Sequence, residues 1–546
     1  MMSWGPRGPE LVPTTLIPGT PMYGYGAPSW CELPGGARCV VGDQGHRVCV
    51  LDGNGEVSAS LTTSNIAGWV TAIDLGDVGM ILHDPVTRRR SVMRWRWRED
   101  RTETLWETTD LVGDLCSHAD GSLAWLAWPT TSVPWEAARL WVLSGGNEPQ
   151  RVDLPGTPAQ PSWWQGSLLV SVEEGEWFRP GFVIDGRFTP WDVPEEEFRP
   201  DEYFGWKWSV ALARGVFTVS VRDSSTTSGW WTPAHGWRRV VGGPDAITEV
   251  CGLSDRCVVL GSTVGGGTDV WEWREDTDTW RSLSNLVVQP RVGELHGILR
   301  SVRGVPFRWR TPAHPEMVPP KGARPGVMLR LHGGPASYAG LGDDDVDEML
   351  ARSGLAIASV DYRGSTSYGR TYRRSLFGVW GRADVDDARD VLEWACATGD
   401  IDLSRVFVRG SSAGALSAAL VSIDPLVQGV VLIAPVTDPR ALLEIDDEFE
   451  GGFLRQLVGD VEQMSSWSPV ELVSRLGRRA LVIQGDRDPV VPVEATRDFV
   501  ARWRASGADV TYVELAGEGH SLRSPEARER ALHAEMAFLG GSIRPF

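Results

Sequence analysis

Two incompatible strand patterns divide this chain near residue 310. Up to that point it is a succession of short β segments, among them "ARCVVGD" (37–43), "SVMRWRWRED" (91–100), "LAWLAWP" (123–129), "GVFTVSVRD" (215–223) and "TDVWEWRED" (268–276). Several alternate in polarity, as half-buried strands do, and Asp52-Gly53, Asp120-Gly121 and Asp185-Gly186 mark turns between them. Tryptophan follows the same division: 23 of 27 lie at or before Trp309, leaving Trp380, Trp394, Trp467 and Trp503 beyond it. After residue 310 come apolar runs that read as strands buried on both faces, such as "GVMLRLHGG" (326–334), "LAIASVDYRG" (355–364), "RVFVRGSS" (405–412), "ALVIQGD" (480–486) and "VTYVELAG" (510–517). Helical patterns separate them, including 383–399, 493–507 and 524–540. Such alternation builds a parallel sheet with helices on both faces.

A length of 546 residues exceeds one ordinary core, so we expect three parts. They are a Pro/Gly-rich segment over 1–30, an all-β domain over 31–305 and an α/β domain over 306–546. A Pro/Gly-rich connection, 314–326, lies at the junction. The all-β part could be a sandwich, a barrel or a propeller; at ~40 residues per four-stranded blade its length holds about seven blades.

The formal net charge of −19 repels phosphates and argues against nucleic acid or an anionic membrane as partner. No apolar run approaches the ~20 residues that span a bilayer, and the start of the chain lacks the apolar core of a signal peptide. The seven cysteines, an odd number, show neither zinc-site nor CxxC spacing, so a cytoplasmic, thiol-reduced protein is expected. The only lysines are Lys207 and Lys321, which removes a Ser–Lys dyad over most of the chain. No metal or organic cofactor is implied.

The chemistry concentrates in "VFVRGSSAGALSAAL" (406–420). A strand ends, Gly410-Ser411-Ser412-Ala413-Gly414 follows, and a helix begins. A tight turn would read the same, but so does a nucleophile elbow with Ser412 exposed at its tip. A serine hydroxyl needs a base to take its proton and an acid to hold that base. In this class of sheet those groups come from later strand ends, in the order Ser, Asp, His. "VTYVELAG" leads into Glu518-Gly519-His520, and His520 is the candidate base; His533 sits mid-helix, where an ordinary surface role suffices. "ALVIQG" leads into Asp486-Arg487-Asp488, and spacing alone does not choose between the aspartates. One oxyanion donor comes with the elbow, the amide of Ala413; a second is expected from His332-Gly333-Gly334-Pro335, where glycines let the backbone approach a substrate.

These residues, with "DYRGSTSYGRTYRRSLFGVWGRADVDDARDVLEW" (361–394) and "GDRDPVVP" (485–492), resemble the prolyl oligopeptidase family of serine peptidases, in particular its acylaminoacyl-peptidase and dipeptidyl-peptidase-like branch. The resemblance covers about 320–540 firmly. It implies a seven-bladed propeller capping an α/β-hydrolase domain. It assigns Asp488 as the acid and the amides of Gly334 and Ala413 as oxyanion donors. Ser412 and Asp488 are 76 residues apart and Asp488 and His520 are 32 apart, similar to the family's spacing. Two positions depart from its pattern: Gln484 stands where many members carry His, and Ser367 where Gly is usual.

The resemblance also places the pocket for the residue before the cut at 439–453, "PRALLEIDDEFEGGF". Leu443, Ile445, Phe449 and Phe453 are its apolar candidates. The acidic run Glu444, Asp446, Asp447, Glu448 and Glu450 is read first as a solvated face and second as an attractor for a cationic group. Glu196 and Glu197 are candidate carboxylates for a substrate's amino terminus, against the simpler reading of an exposed loop. The expected activity is hydrolysis of short peptides through an acyl-enzyme, with aminopeptidase or acylaminoacyl-type exopeptidase action among its forms. Alternatives are acyl transfer to an amine by a cyclase or transpeptidase, an esterase or amidase acting on a small natural product, and a non-catalytic propeller interaction protein. A homo-oligomer is a possible form.

Overall fold

A computed structural model describes residues 2–5, 8–11, 28–73, 76–145, 148–199, 207–263, 267–283, 297–312, 324–340, 345–444, 448–459 and 466–540. Two-residue β turns and alternating Val/Trp/Leu segments produce what such segments can produce, antiparallel four-stranded meanders. Among the described residues there are six, over 30–62, 66–108, 111–152, 158–190, 209–240 and 246–282. The first strand of each sheet after the first packs against the sheet before it, so the meanders follow one another as propeller blades. Met2–Gly5 and Gly8–Leu11 pair separately.

Seven blades were expected and six four-stranded sheets are described. Residues 129–138, with the short helix Pro134–Ala137, interrupt the third sheet. Residues 12–27, 200–206 and 284–296 lie outside the described ones. Tryptophan fills the spaces within and between sheets. Trp191 stacks on Trp231 at 4.6 Å and 5° and Trp164 meets Trp231 edge-on at 5.4 Å, offset and edge geometries that ring quadrupoles favour.

The second domain is an eight-stranded sheet, its strands numbered in chain order: β1 (Ile298–Val302), β2 (Val305–Arg310), β3 (Gly326–Leu331), β4 (Leu355–Val360), β5 (Val406–Ser411), β6 (Gly429–Ile433), β7 (Arg479–Gly485) and β8 (Asp509–Leu515). The order is 1-2-4-3-5-6-7-8, antiparallel up to the β2–β4 pair and parallel beyond it. The sheet therefore begins at Ile298, eight residues before the expected boundary at 306. The hairpin β1–β2 reads locally like one more propeller meander, and only its pairing to β4 assigns it here. Most of the expected linker, 313–323, lies outside the described residues.

Alternate residues face two cores. Val327, Leu329, Val408, Val430 and Val482 pack beneath helices Ala383–Ala397, Ala413–Val421 and Val493–Ala505. Met328, Ile357, Phe407, Val431 and Ile483 pack beneath Asp345–Arg352 and Pro525–Phe538. The first core runs on into the propeller, taking in Trp125, Trp128, Trp135 and Phe178, so the two domains share buried apolar surface. Among the described residues no helix is long and apolar enough to cross a membrane.

Candidate active site

The turn after β5 is forced by close approach. A Cβ on Gly410 would stand 2.1 Å from the Gly414 carbonyl oxygen, and one on Gly414 2.2 Å from that of His332. Only glycine fits at either position, and this lets the helix Ala413–Val421 start hard against the strand. Between them Ser412 is held at φ 53° and ψ −120°, a conformation a non-glycine residue rarely adopts and one that lifts its side chain off the sheet. Its amide donates to the carbonyl of Ile433 on β6.

Three expected side chains meet there. His520 Nε2 lies 3.0 Å from Ser412 Oγ, and His520 Nδ1 lies 2.8 Å from Asp488 Oδ2. Asp488 is fully covered, while the imidazole keeps 16% of its side chain exposed. The two aspartates that spacing could not separate occupy different places. Asp486 Oδ1 accepts from the amide of Gly517 at 2.6 Å and shapes the turn after β8. Asp488 Oδ1 accepts from the amides of Val490 and Val491, both at 2.9 Å, and Oδ2 accepts from Gln484 Nε2 at 2.9 Å. These hydrogen bonds satisfy the buried carboxylate and fix it against the imidazole.

Gln484 takes part in this site though the sequence showed it only as a departure from a pattern. It is buried, its Nε2 reaches Asp488, and its Oε1 accepts from Thr496 Oγ1 at 3.1 Å. Its place two residues before Asp486, at the end of a buried strand, was the one available signal.

The loop after β3 closes over the serine. A Cβ on Gly333 would come within 3.5 Å of Ser412 Cβ. Gly334 sits at φ 116°, in glycine's region. His332 fixes this loop: its ring stacks on Tyr362 at 4.3 Å, Nδ1 donates to the Gly333 carbonyl at 2.7 Å, and Tyr362 donates to the His332 carbonyl at 2.7 Å. Burial pulls the His332 pKa down, with Asp361 opposing, so the ring stays neutral.

The expected substrate carboxylates are already engaged. Glu196 accepts from Ser220 Oγ at 2.5 Å and pairs with Arg239 at 2.7 Å. Glu197 is buried, 3.0 Å from Arg199 and 3.7 Å from Arg373. The exposed-loop alternative does not describe them either: both belong to buried polar packing. Phe449 and Phe453 lie edge-on to Trp135 of the propeller, at 6.3 and 5.4 Å, in the domain interface. Leu443 packs half-buried against the first core. Ile445, Asp446 and Asp447 lie outside the described residues, and of the acidic run Glu448 is described: it pairs with Arg88 and the fully buried Arg90 across the interface.

Residues 345–544 match the model of the prolyl oligopeptidase family. Dipeptidyl peptidase family member 6 of Caenorhabditis elegans is 30% identical over 237 residues, 40% of this chain and 32% of that protein. Dipeptidyl aminopeptidase BIII of Pseudoxanthomonas mexicana is 29% identical over 235 residues, 40% of this chain and 34% of that protein. The matches thus span about a third of the length of these curated relatives. The solved structure of a Mycobacterium tuberculosis puromycin-hydrolyzing peptidase superposes with a TM-score of 0.87 at 21% identity, over 96% of this chain and 88% of that one. It shares the fold, propeller and hydrolase domain together. The family match is carried by the second domain, and the likeness over the whole chain is one of fold.

Proposed function

We propose that the protein is a serine peptidase that cleaves short peptides through an acyl-enzyme, with Ser412 as nucleophile, His520 as base and Asp488 as its partner. The observation that carries this reading is the continuous hydrogen-bonded chain from Asp488 through His520 to Ser412 Oγ, at 2.8 and 3.0 Å. Asp488 holds the Nδ1–H tautomer, which leaves the Nε2 lone pair facing the serine hydroxyl. As Oγ bonds to the substrate carbonyl carbon, its proton passes to Nε2. The carbonyl oxygen becomes an oxyanion, for which the amides of Gly334 and Ala413 are the proposed donors. Nε2 then gives the proton to the departing nitrogen, the C–N bond breaks, and water repeats the sequence to free the acid.

The family supports this assignment, and the peptidase names of the curated relatives support peptides as the substrate class. The propeller is part of the proposal as a cover that admits short chains. Seven cysteines without a disulfide support a cytoplasmic setting.

The test is a library of short peptides with free and acetylated amino termini, read by mass spectrometry, with puromycin included because a structural neighbour hydrolyses it. Cleavage products that vanish in Ser412→Ala support peptidase action. Joined products point to acyl transfer, and no turnover of any member sinks the reading.

A further inference from the structure

Residues 361–368, the stretch that follows β4, are held from two sides. On one side is the loop 332–340, which carries Gly334, a proposed oxyanion donor. That loop is pinned along its length. His332 stacks on Tyr362, and its Nε2 lies 2.7 Å from Ser365 Oγ. The amide of Thr366 donates to the Ser337 carbonyl at 2.9 Å, and the amide of Ala339 donates to Asp361 Oδ1 at 2.6 Å. Gly334 thus stands between anchors that all belong to one short segment.

On the other side is the propeller. Strands Val216–Arg222 and Ser225–Thr232 of its fifth sheet pair as far as Arg222 and Ser225, leaving Asp223 and Ser224 as a two-residue turn. Both have positive φ, 51° and 58°, as the tight turns that match strand twist require. The tip of this turn meets the hydrolase domain. The amide of Asp223 donates to the Ser367 carbonyl and that of Ser224 to Ser367 Oγ, both at 3.0 Å. Ser224 Oγ donates to Asp361 Oδ2 at 2.6 Å, and the Tyr368 hydroxyl donates to the same oxygen at 2.6 Å. Arg308 of β2 donates to the Asp223 carbonyl at 2.7 Å and to Ser225 Oγ at 2.8 Å, and its charge faces Asp361. Ser224, Asp361 and Ser367 are all buried. Tyr338, from the middle of the loop 332–340, packs against the apolar core of the fifth and sixth sheets. The two oxygens of one buried carboxylate therefore divide their work: Oδ1 holds the loop that carries Gly334, and Oδ2 receives the hydroxyl of the propeller.

We propose that Ser224 of the propeller is a positioning residue for the oxyanion site, acting through Asp361 on the loop that carries Gly334. A covered carboxylate keeps its place while its oxygens are satisfied, and loss of one neutral donor leaves it under-bonded. Without Ser224, Asp361 shifts toward its remaining partners, Tyr368 and Arg308, and its hold on the Ala339 amide weakens. An oxyanion donor acts when it is already set at hydrogen-bond distance, so a looser loop slows bond formation at Ser412 and leaves ligand recognition unchanged. The propeller then supplies more than a cover: one of its side chains takes part in setting up the site. This rests on the reading of Ser412 as nucleophile and adds a propeller residue to that reaction.

Inactivation of the full chain by a fluorophosphonate, resolved into a binding constant and a maximal rate, tests the proposal. Ser224→Gly removes the hydroxyl and suits the turn, since glycine adopts positive φ without strain. It should lower the maximal rate at least about 10-fold, a fraction of the ~10²–10³ lost with a whole oxyanion donor, and leave the binding constant unchanged. Ser224→Cys keeps the packing and a weak S–H donor, so its rate should fall between. Glu176→Ala is the control. Glu176 also joins the propeller to the hydrolase domain, accepting from the Thr371 amide at 2.8 Å and from Thr371 Oγ1 at 2.6 Å, beyond the 361–368 stretch. Being exposed, it should change the maximal rate by no more than about 2-fold. Amide hydrogen exchange over 332–340 should quicken in Ser224→Gly and not in Glu176→Ala. A maximal rate unchanged in the Ser224 variants overturns the proposal, and so does an equal loss in Glu176→Ala or a loss without faster exchange. If the unmodified protein takes no label, the nucleophile reading fails first, so the two failures remain distinguishable.

Discussion

Buried acids serve two different ends in the two halves of this molecule. At the tip of β7, Asp488 is surrounded by two backbone amides, a glutamine and one imidazole. At the domain interface, Glu136 and Glu173 of the propeller surround Arg373 of the hydrolase domain, at 3.1 and 2.5 Å, with Glu197 at 3.7 Å. Burial works against the Arg373 charge, but Glu197, Glu173 and Glu136 together more than offset it and hold its pKa above the ordinary value. Burial raises Glu173, with Arg373 opposing. The difference teaches that a covered carboxylate beside neutral donors can hold a titratable partner in working order. One locked against a permanent cation can only join two surfaces.

The largest expected effect breaks the first site and leaves the second alone. Asp488→Asn should lower kcat by about 10⁴ through the wrong imidazole tautomer while Tm changes little, as steady-state kinetics beside thermal melts would show. Arg373→Met should do the reverse. It strands buried carboxylates, costing about 3–5 kcal/mol of stability in denaturant melts, with Ser412 still open to covalent labelling in the folded fraction. If instead Arg373→Met leaves stability unchanged, the interface cluster is not what joins the domains.

A third acid sharpens the contrast by having too few donors. Asp384 is buried and its main side-chain partner is Ser417, on the helix that follows Ser412. Burial, opposed by that hydroxyl, pushes its pKa up to about 6. A raised folded-state value means that the folded protein holds the proton more tightly than the unfolded chain. Stability from this group is therefore fully present below about pH 4 and falls as pH rises to about 6, by roughly 3 kcal/mol, then levels off. Asp384→Asn should flatten that part of a pH–stability curve; an unchanged slope would assign the titration elsewhere. The smallest effect is at Gln484. Gln484→Ala removes one hydrogen bond from the Asp488 carboxylate, worth about 1.5–3 kcal/mol shared between stability and kcat. A loss confined to stability would mean that Gln484 packs the strand end without orienting the acid.

The chain's own residues made the second domain readable and the first only partly so. Six of the eight strands of the large sheet follow from apolar runs ending in turn residues, and the elbow glycines follow from a pattern that only close backbone contact explains. What spacing could not do was separate Asp486 from Asp488, because both lie in one loop and the difference is whether the side chain points to Gly517 or to His520. Strand segments of the first domain can be counted locally, but insertions such as 129–138 are visible only when pairing is known. Glu196 was not readable as paired because its cation, Arg239, is 43 residues away in sequence; Glu197 pairs with Arg199, two residues on, and its link to Arg373, 176 residues away, appears only in the fold. Ser367, a departure in sequence, has a structural place. It adopts φ 73°, and its Oγ accepts from the amide of Ser224 across the domain interface.

The account stands or falls on whether Ser412 is an activated nucleophile. Incubation with a fluorophosphonate followed by peptide mass mapping answers this directly. The account predicts a single covalent adduct on Ser412, absent from Ser412→Ala and strongly slowed in His520→Ala. An unlabelled native protein, or labelling that survives both substitutions, would contradict it.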